Sequence, residues 1–238
     1  MRITKKLLFP TIMAIAYCVA SAETKDYSLS INDFNELKVV DGINVVYHTS
    51  TDSAGVITFS CEPAMADKLM FESGNKRLKI EVAIDDQGRV PDLPVVHVRS
   101  SMLTRVENSG DSTVIVDLDG PVQAFKARIV GNGTLIVRGV YANNAEGRIS
   151  TGHGHLVMQG RAATAKLSNI GTGPIEAGSL DAKDVKCWVL GTGPIDCRAT
   201  ERLHIVGAGS GKVYYTGNPD EVTNRTIGVK AIPIEEHQ

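Results

Sequence analysis

The sequence predicts an all-β protein built as a right-handed parallel β-helix. Its rungs are about 20 residues long, and an N-terminal β segment packs on the solenoid or caps it. Three observations carry this expectation. A glycine-rich phrase recurs six times: SGDSTVIV at Ser109, VGNGTLIV at Val130, TGHGHLVM at Thr151, IGTGPIEA at Ile170, LGTGPIDC at Leu190 and AGSGKVYY at Ala208. The first glycines, Gly110, Gly131, Gly152, Gly171, Gly191 and Gly209, lie 21, 21, 19, 20 and 18 residues apart, a near-constant period suited to stacked coils. The columns alternate as strands do. Four residues after each first glycine stand Val114, Leu135, Leu156, Ile175, Ile195 and Val213; two further on stand Val116, Val137, Met158, Ala177, Cys197 and Tyr215. Composition agrees, since 23 glycines and 5% aromatic residues favour thin β layers with many turns.

Residues 1–22 read as a secretory signal peptide. Arg2, Lys5 and Lys6 precede an apolar run from Leu7 to Ala20, and Ala20-Ser21-Ala22 offers small residues for cleavage. The run is shorter than the roughly 20 residues a transmembrane helix needs. Cys18 invites a lipoprotein reading, but bulky Tyr17 precedes it where such signals take a small residue. Cleavage would leave 216 residues and move the net charge from −2 to −5. A mildly acidic chain without a basic cluster argues against nucleic-acid binding.

Residues 23–105 form the N-terminal β segment. FNELKVVDGINVVYHT gives a strand, an Asp41-Gly42 turn and a second strand. GVITFSC, RLKIEVA and PDLPVVHVRS add further strands, and EPAMADKLMFES holds a short helix capped by Glu62-Pro63. Residues 106–217 are the repeats, each a strand, a glycine corner, a strand and a looser connection. Gly131, Gly133, Gly152, Gly154, Gly171, Gly173, Gly191 and Gly193 are then structural corners, where a positive φ or a close backbone approach excludes a Cβ. Residues 218–238 form a tail or a second cap, since an open terminal rung exposes unpaired backbone groups.

INDFNELKVVDGINVVYH, followed by LTRVENSGDSTV leading into glycine-rich rungs, resembles the head GIN domain family of auto-transporter adhesins, exported β-solenoid proteins frequent in Bacteroidetes. The resemblance spans about Ser30 to Gly217. It implies an exported, β-helical, adhesive protein, and it supplies no catalytic residues.

Several constellations invite chemistry. GAGSGKV from Gly207 fails as a phosphate-binding loop, because three residues rather than four separate Gly207 from Gly211 and Val213 stands where a hydroxyl is needed. His153 and His155 lack good ligands among Asn132, Thr134, Thr172 and Pro174, so no metal and no cofactor are expected. Cys187 and Cys197 lie about four residues either side of a corner, near 13 Å along each strand. They are expected to be free, inward-facing and too distant to bond. Cys61 has no obvious partner.

Glu176 and Asp196 share an outward column on adjacent rungs, with Arg198 two residues along. Ion pairing is the plain reading; a two-carboxylate glycosidase is the sharper one. Earlier in the same column stand Ile115, Ile136 and Val157, an apolar ladder that the N-terminal segment, another subunit or a lipid tail could cover. The resulting expectation is an exported, non-catalytic binding or scaffold protein of the periplasm or cell surface, not transmembrane. Its partners would be a copy of itself or a cell-surface glycan or protein. The alternatives are a carbohydrate-active solenoid enzyme and a carrier of apolar ligands.

Overall fold

The computed structural model describes residues 23–83 and 93–235; the expected signal segment lies outside them. The chain is an all-β solenoid in which each rung contributes one strand to a first wall, after the glycine corner, and one to a second wall, before it.

The repeats run as expected. β8 (Arg105–Ser109) leads through the first corner into β9 (Thr113–Asp117), and β10 (Val122–Ile129) leads into β11 (Thr134–Ile149). β12 (His155–Asn169), β13 (Ile175–Val189) and β14 (Ile195–Ala208) each serve both walls, bending at register shifts after their first few residues. β15 (Lys212–Thr216), β16 (Glu221–Ile227) and β17 (Lys230–Pro233) finish the stack. Neighbouring rungs pair parallel and residue to residue, with Leu135 beside Leu156, Leu156 beside Ile175 and Ile175 beside Ile195. All four side chains are fully buried. Like side chains stack because parallel strands repeat at about 4.8 Å.

The N-terminal segment joins this stack instead of packing over it. β2 (Glu36–Val40) pairs parallel with β8, and β3 (Val45–Thr49) with β9. β2 and β3 do not form a hairpin: Asp41, at φ +65°, is a solenoid corner stacked beneath Gly110. The order in space departs from the order in sequence. β6 (Arg77–Val82) and β7 (Val96–Ser100) lie on the far side of β2 and β3, so the first rung made sits between two made later. The crossing from β7 to β8 is pinned by Asp33, whose carboxylate accepts the Ser101 N–H at 3.0 Å and the Ser101 hydroxyl.

Antiparallel strands close this end. β4 (Val56–Cys61) pairs with β7 and with β1 (Lys25–Ser30), while β5 (Leu69–Gly74) pairs with β6. The expected helix is α1 (Pro63–Ala66); Pro63 starts it and the Glu62 carbonyl, not its side chain, receives the first N–H groups.

Two corner details follow from stacking. A Cβ on Gly173 would lie 1.8 Å from the Gly154 carbonyl oxygen, and one on Gly193 would lie 2.1 Å from that of Gly173. Backbone touches backbone there, so no side chain fits. Buried asparagines brace two corners from inside: Asn169 donates to the Gly173 and Pro194 carbonyls at 2.9 and 3.3 Å and accepts the Gly171 N–H at 3.1 Å. Asn108 does the same for Ser112, Thr134 and Gly110.

Cys187 and Cys197 are free and buried, but they are not distant: their sulfurs lie 3.9 Å apart. The corner folds back acutely enough that inward side chains of the two walls meet, which distance along the strands conceals.

Gly173→Ala should lose about 3 kcal/mol in chemical denaturation, whereas Gly74→Ala, with open space around its Cβ position, should stay within about 0.5 kcal/mol. The hydrogen bond with Cys197 and complete burial hold the Cys187 thiol well above its ordinary pKa. Iodoacetamide at about pH 8 should therefore label Cys187 only at the rate of global unfolding, read by mass spectrometry.

Candidate functional site

The outward column of the first wall gathers the residues singled out by the sequence. It runs Val46, Ile115, Ile136, Val157, Glu176, Asp196 and Tyr214 in successive strands. Ile115, Ile136 and Val157 are half-buried. The N-terminal strands do not cover this ladder; β3 lies beside it and lengthens it with Val46. An apolar stripe four side chains long therefore stands on the wall, half open to solvent.

Glu176 and Asp196 are register neighbours on β13 and β14. Burial, and then the Glu176 charge, raise the Asp196 pKa, while backbone N–H groups of Gly178 and Cys197 oppose the shift by hydrogen bonding to the carboxylate. Asp196 is folded over Gly178, where an added Cβ would meet Asp196 Oδ2 at 2.5 Å. Glu176 Oε1 lies 3.0 Å from His155 Nε2. Arg198 Nε lies 2.6 Å from Asp181 Oδ1, beyond the bend in β13. Each of these three side chains thus has a structural partner: Asp196 the backbone of its own and the preceding rung, Glu176 a histidine one rung away, Arg198 an aspartate.

His153 Nδ1 faces the Thr172 hydroxyl at 3.0 Å, in the corner of the following rung. Among the described residues no three His, Cys, Asp or Glu side chains gather closely enough to hold a metal ion.

Two features escaped the sequence. The bracing asparagines had a signal, an Asn two residues before the first glycine in ENSG and SNIG. The other is the outward face of the second wall, where Lys126, Glu146, Lys166, Lys186 and His204 share a column. Its signal is a polar residue five or six positions before each first glycine.

The stacked corners, paired walls and outward columns define a β-solenoid whose chemistry lies on flat faces. The chain belongs to the family described as putative auto-transporter adhesin, head GIN domain, whose model matches residues 33–219. No curated protein matches it. Solved structures similar to it include a putative adhesin from Bacteroides fragilis NCTC 9343, with a TM-score of 0.78 and 20% identity, covering 90% of this chain and 97% of that one. A putative adhesin from Parabacteroides distasonis ATCC 8503 has a TM-score of 0.68 and 21% identity, covering 90% and 98%. A protein from the same organism described as a putative lipid binding protein has a TM-score of 0.70 and 19% identity, covering 89% and 98%. At these identities the likeness is one of fold.

The raised Asp196 pKa has a testable sign. The folded state holds this proton more tightly than the unfolded chain does. Stability from this group is therefore present at low pH and is lost as pH rises from the ordinary aspartate value of 3.8 through the raised folded value. Asp196→Asn, which keeps an acceptor for the two N–H groups, should raise Tm at neutral pH by about 2 °C. The gain should vanish below the ordinary value, as followed by scanning calorimetry across pH.

Proposed function

We propose that this chain is an exported, non-catalytic binding protein of the cell envelope that engages its partner through a flat solenoid wall, as an adhesin does. The observation that carries this reading is the outward face of the walls. Nine parallel strands stack in register along each wall, presenting repeated side-chain columns over roughly 40 Å. Such a surface suits an extended partner better than an enclosed small molecule. Membership of an adhesin family supports it, and the basic N-terminal segment followed by an apolar run supports export. No helix among the described residues is long and apolar enough to cross a membrane.

The half-open stripe of Val46, Ile115, Ile136 and Val157 favours a second reading, an apolar contact made with a lipid tail or a second copy of the chain. One structural relative is described as a putative lipid binding protein, in line with the first of these.

Labelled protein should bind whole bacterial cells saturably, and Glu176→Gln with Asp196→Asn should leave that binding intact. Hydrolysis of any member of a polysaccharide panel by the wild type, abolished by the same pair, would replace the binding role with a catalytic one. Ile136→Asp read by light scattering separates the apolar readings: an oligomer converted to a folded monomer makes the stripe a subunit interface, and co-purified lipid lost in the variant makes it a carrier site.

A further inference from the structure

The second wall carries a concentration of charge that the chain's overall balance hides. Two of its outward columns can be followed strand by strand from β6 through β2, β8 and β10 to β14 and β16, beside a third that reads Asn144, Thr164, Asp184, Arg202 and Glu221. Over the central rungs one column reads Arg105, Lys126, Glu146, Lys166, Lys186 and His204. The other reads Glu107, Arg128, Arg148, Ser168, Trp188 and Val206. Toward the N-terminal end they continue through Glu36 with Lys38 and Arg77 with Lys79, and Arg225 ends the second column. Ten of the protein's 25 Lys and Arg stand in these two columns, with three of its 27 Asp and Glu. A chain of net charge −2 thus has one strongly basic strip and is acidic elsewhere. Such segregation creates a directed field toward anions.

Carboxylates pair with the N-terminal half of the strip, where Arg77 lies 2.7 Å from Glu36 and Lys79 lies 2.8 Å from Glu81 and 3.7 Å from Glu72. Glu107 is shared by three cations, lying 3.0 Å from Lys38, 3.6 Å from Arg105 and 3.4 Å from Arg128. Lys126 faces Glu146 at 3.9 Å. Lys166 and Lys186 are different. They are register neighbours on adjacent strands, and no carboxylate of the described residues lies within ion-pair distance of either. Like charges opposed across strands are unfavourable by themselves, and an anion between them removes that cost. A groove of about 500 Å³ opens beside these two lysines and His204, with Thr164, Thr223 and, at its far edge, Glu221 on its lining, and Asp184 tied to Arg202 at 2.6 Å.

Next to the lysines lies Trp188, 39% exposed. Its column neighbours are the short Ser168 and Val206. Between such short neighbours the side chain offers an apolar surface to solvent. Leu190 and Ile170, both exposed, continue that surface to the corner.

We propose that this strip binds an acidic polysaccharide, its carboxylate or sulfate groups meeting the Lys and Arg columns and one sugar ring stacking on Trp188. The assignment rests on the binding role proposed above and names the wall and ligand class. Its shape selects this partner. The strip is two side chains wide, about 7 Å, and nine strands long, about 40 Å, which matches a linear polyanion rather than the plane of a bilayer. Cations repeat along it at strand spacing, so a polymer with an anion on each sugar gains several contacts together. The aromatic surface adds an apolar contact for sugar C–H groups that a salt-like polyanion would not use.

The test is binding of the protein to heparin and polygalacturonate, against neutral dextran, duplex DNA and vesicles of phosphatidylglycerol in phosphatidylcholine, over a salt series. Acidic polysaccharide should bind, dextran should not, and affinity should fall with salt. Lys166→Glu with Lys186→Glu, and separately Trp188→Ala, should each weaken that binding roughly tenfold or more. Both variants keep the buried columns intact, which circular dichroism and Tm would verify. Equal binding of DNA or vesicles, or binding indifferent to Trp188→Ala, overturns the polysaccharide assignment. If acidic polysaccharide binding is absent while saturable cell binding persists, this strip is not the contact surface and the binding role stands. If both are absent, the binding role falls with it.

Discussion

The parallel backbone ladder between rungs is the constraint on which the rest of this molecule depends. Once Leu135 pairs with Leu156 and Leu156 with Ile175, every residue is held beside its counterpart about 4.8 Å away. The inward columns must then be apolar and of similar size. The corners must let backbone pass against backbone, which is why an added Cβ on Gly173 would collide with the Gly154 carbonyl. Where two corners leave a polar gap inside, Asn108 and Asn169 fill it and satisfy carbonyls that would otherwise be buried without a donor. The same ladder shapes the surface: a charge or an aromatic ring on one rung acquires neighbours whose identity the chain sets some 20 residues away.

That translation of sequence period into surface column explains what was legible. The repeats were plain because glycine and apolar residues recur at nearly fixed spacing. The partnership of Glu176 with Asp196 followed from counting within the period, and the structure places them as register neighbours. The N-terminal strands carry no glycine phrase, so nothing in FNELKVV or RLKIEVA told that they would extend the two walls. Their alternation is the same whether they stack, cap or cover, and the choice is made by partners distant in sequence. The approach of Cys187 to Cys197 was hidden for a related reason: distance along a strand says nothing about how sharply the corner closes. The basic strip was hidden by averaging. Its cations are separated by whole rungs, each surrounded in sequence by residues that face the core or another wall.

The two ends of the stack are managed differently. At the N-terminal end the antiparallel strands β4 and β5 cover the last parallel strands, so the edge offered to solvent changes direction and register. At the other end Pro233 lies on β17, where it has no N–H to offer a further strand. Asn224 and Thr226 take inward positions of β16, beside Ile205 and Gly207, and Thr226 hydrogen-bonds Asn224 at 2.8 Å. At two of the three inward positions of β16 the apolar interior thus ends in polar side chains, Val222 beside Leu203 being the third, which discourages indefinite growth.

The displaced first rung has a kinetic meaning. β2 and β3 are made before any partner exists for either edge, because one neighbour, β6 and β7, and the other, β8 and β9, are both encoded later. The repeats from β10 onward need only the rung before them, so their contacts are short in sequence and cheap in loop entropy. Assembly should thus begin in the repeats and run backward, with the N-terminal rung inserted between its neighbours only after the β7-to-β8 crossing has formed. A chain that emerges amino end first must hold that rung open while the remainder follows, and its slowest step is the closing of a gap at its beginning rather than the addition of a turn at its end.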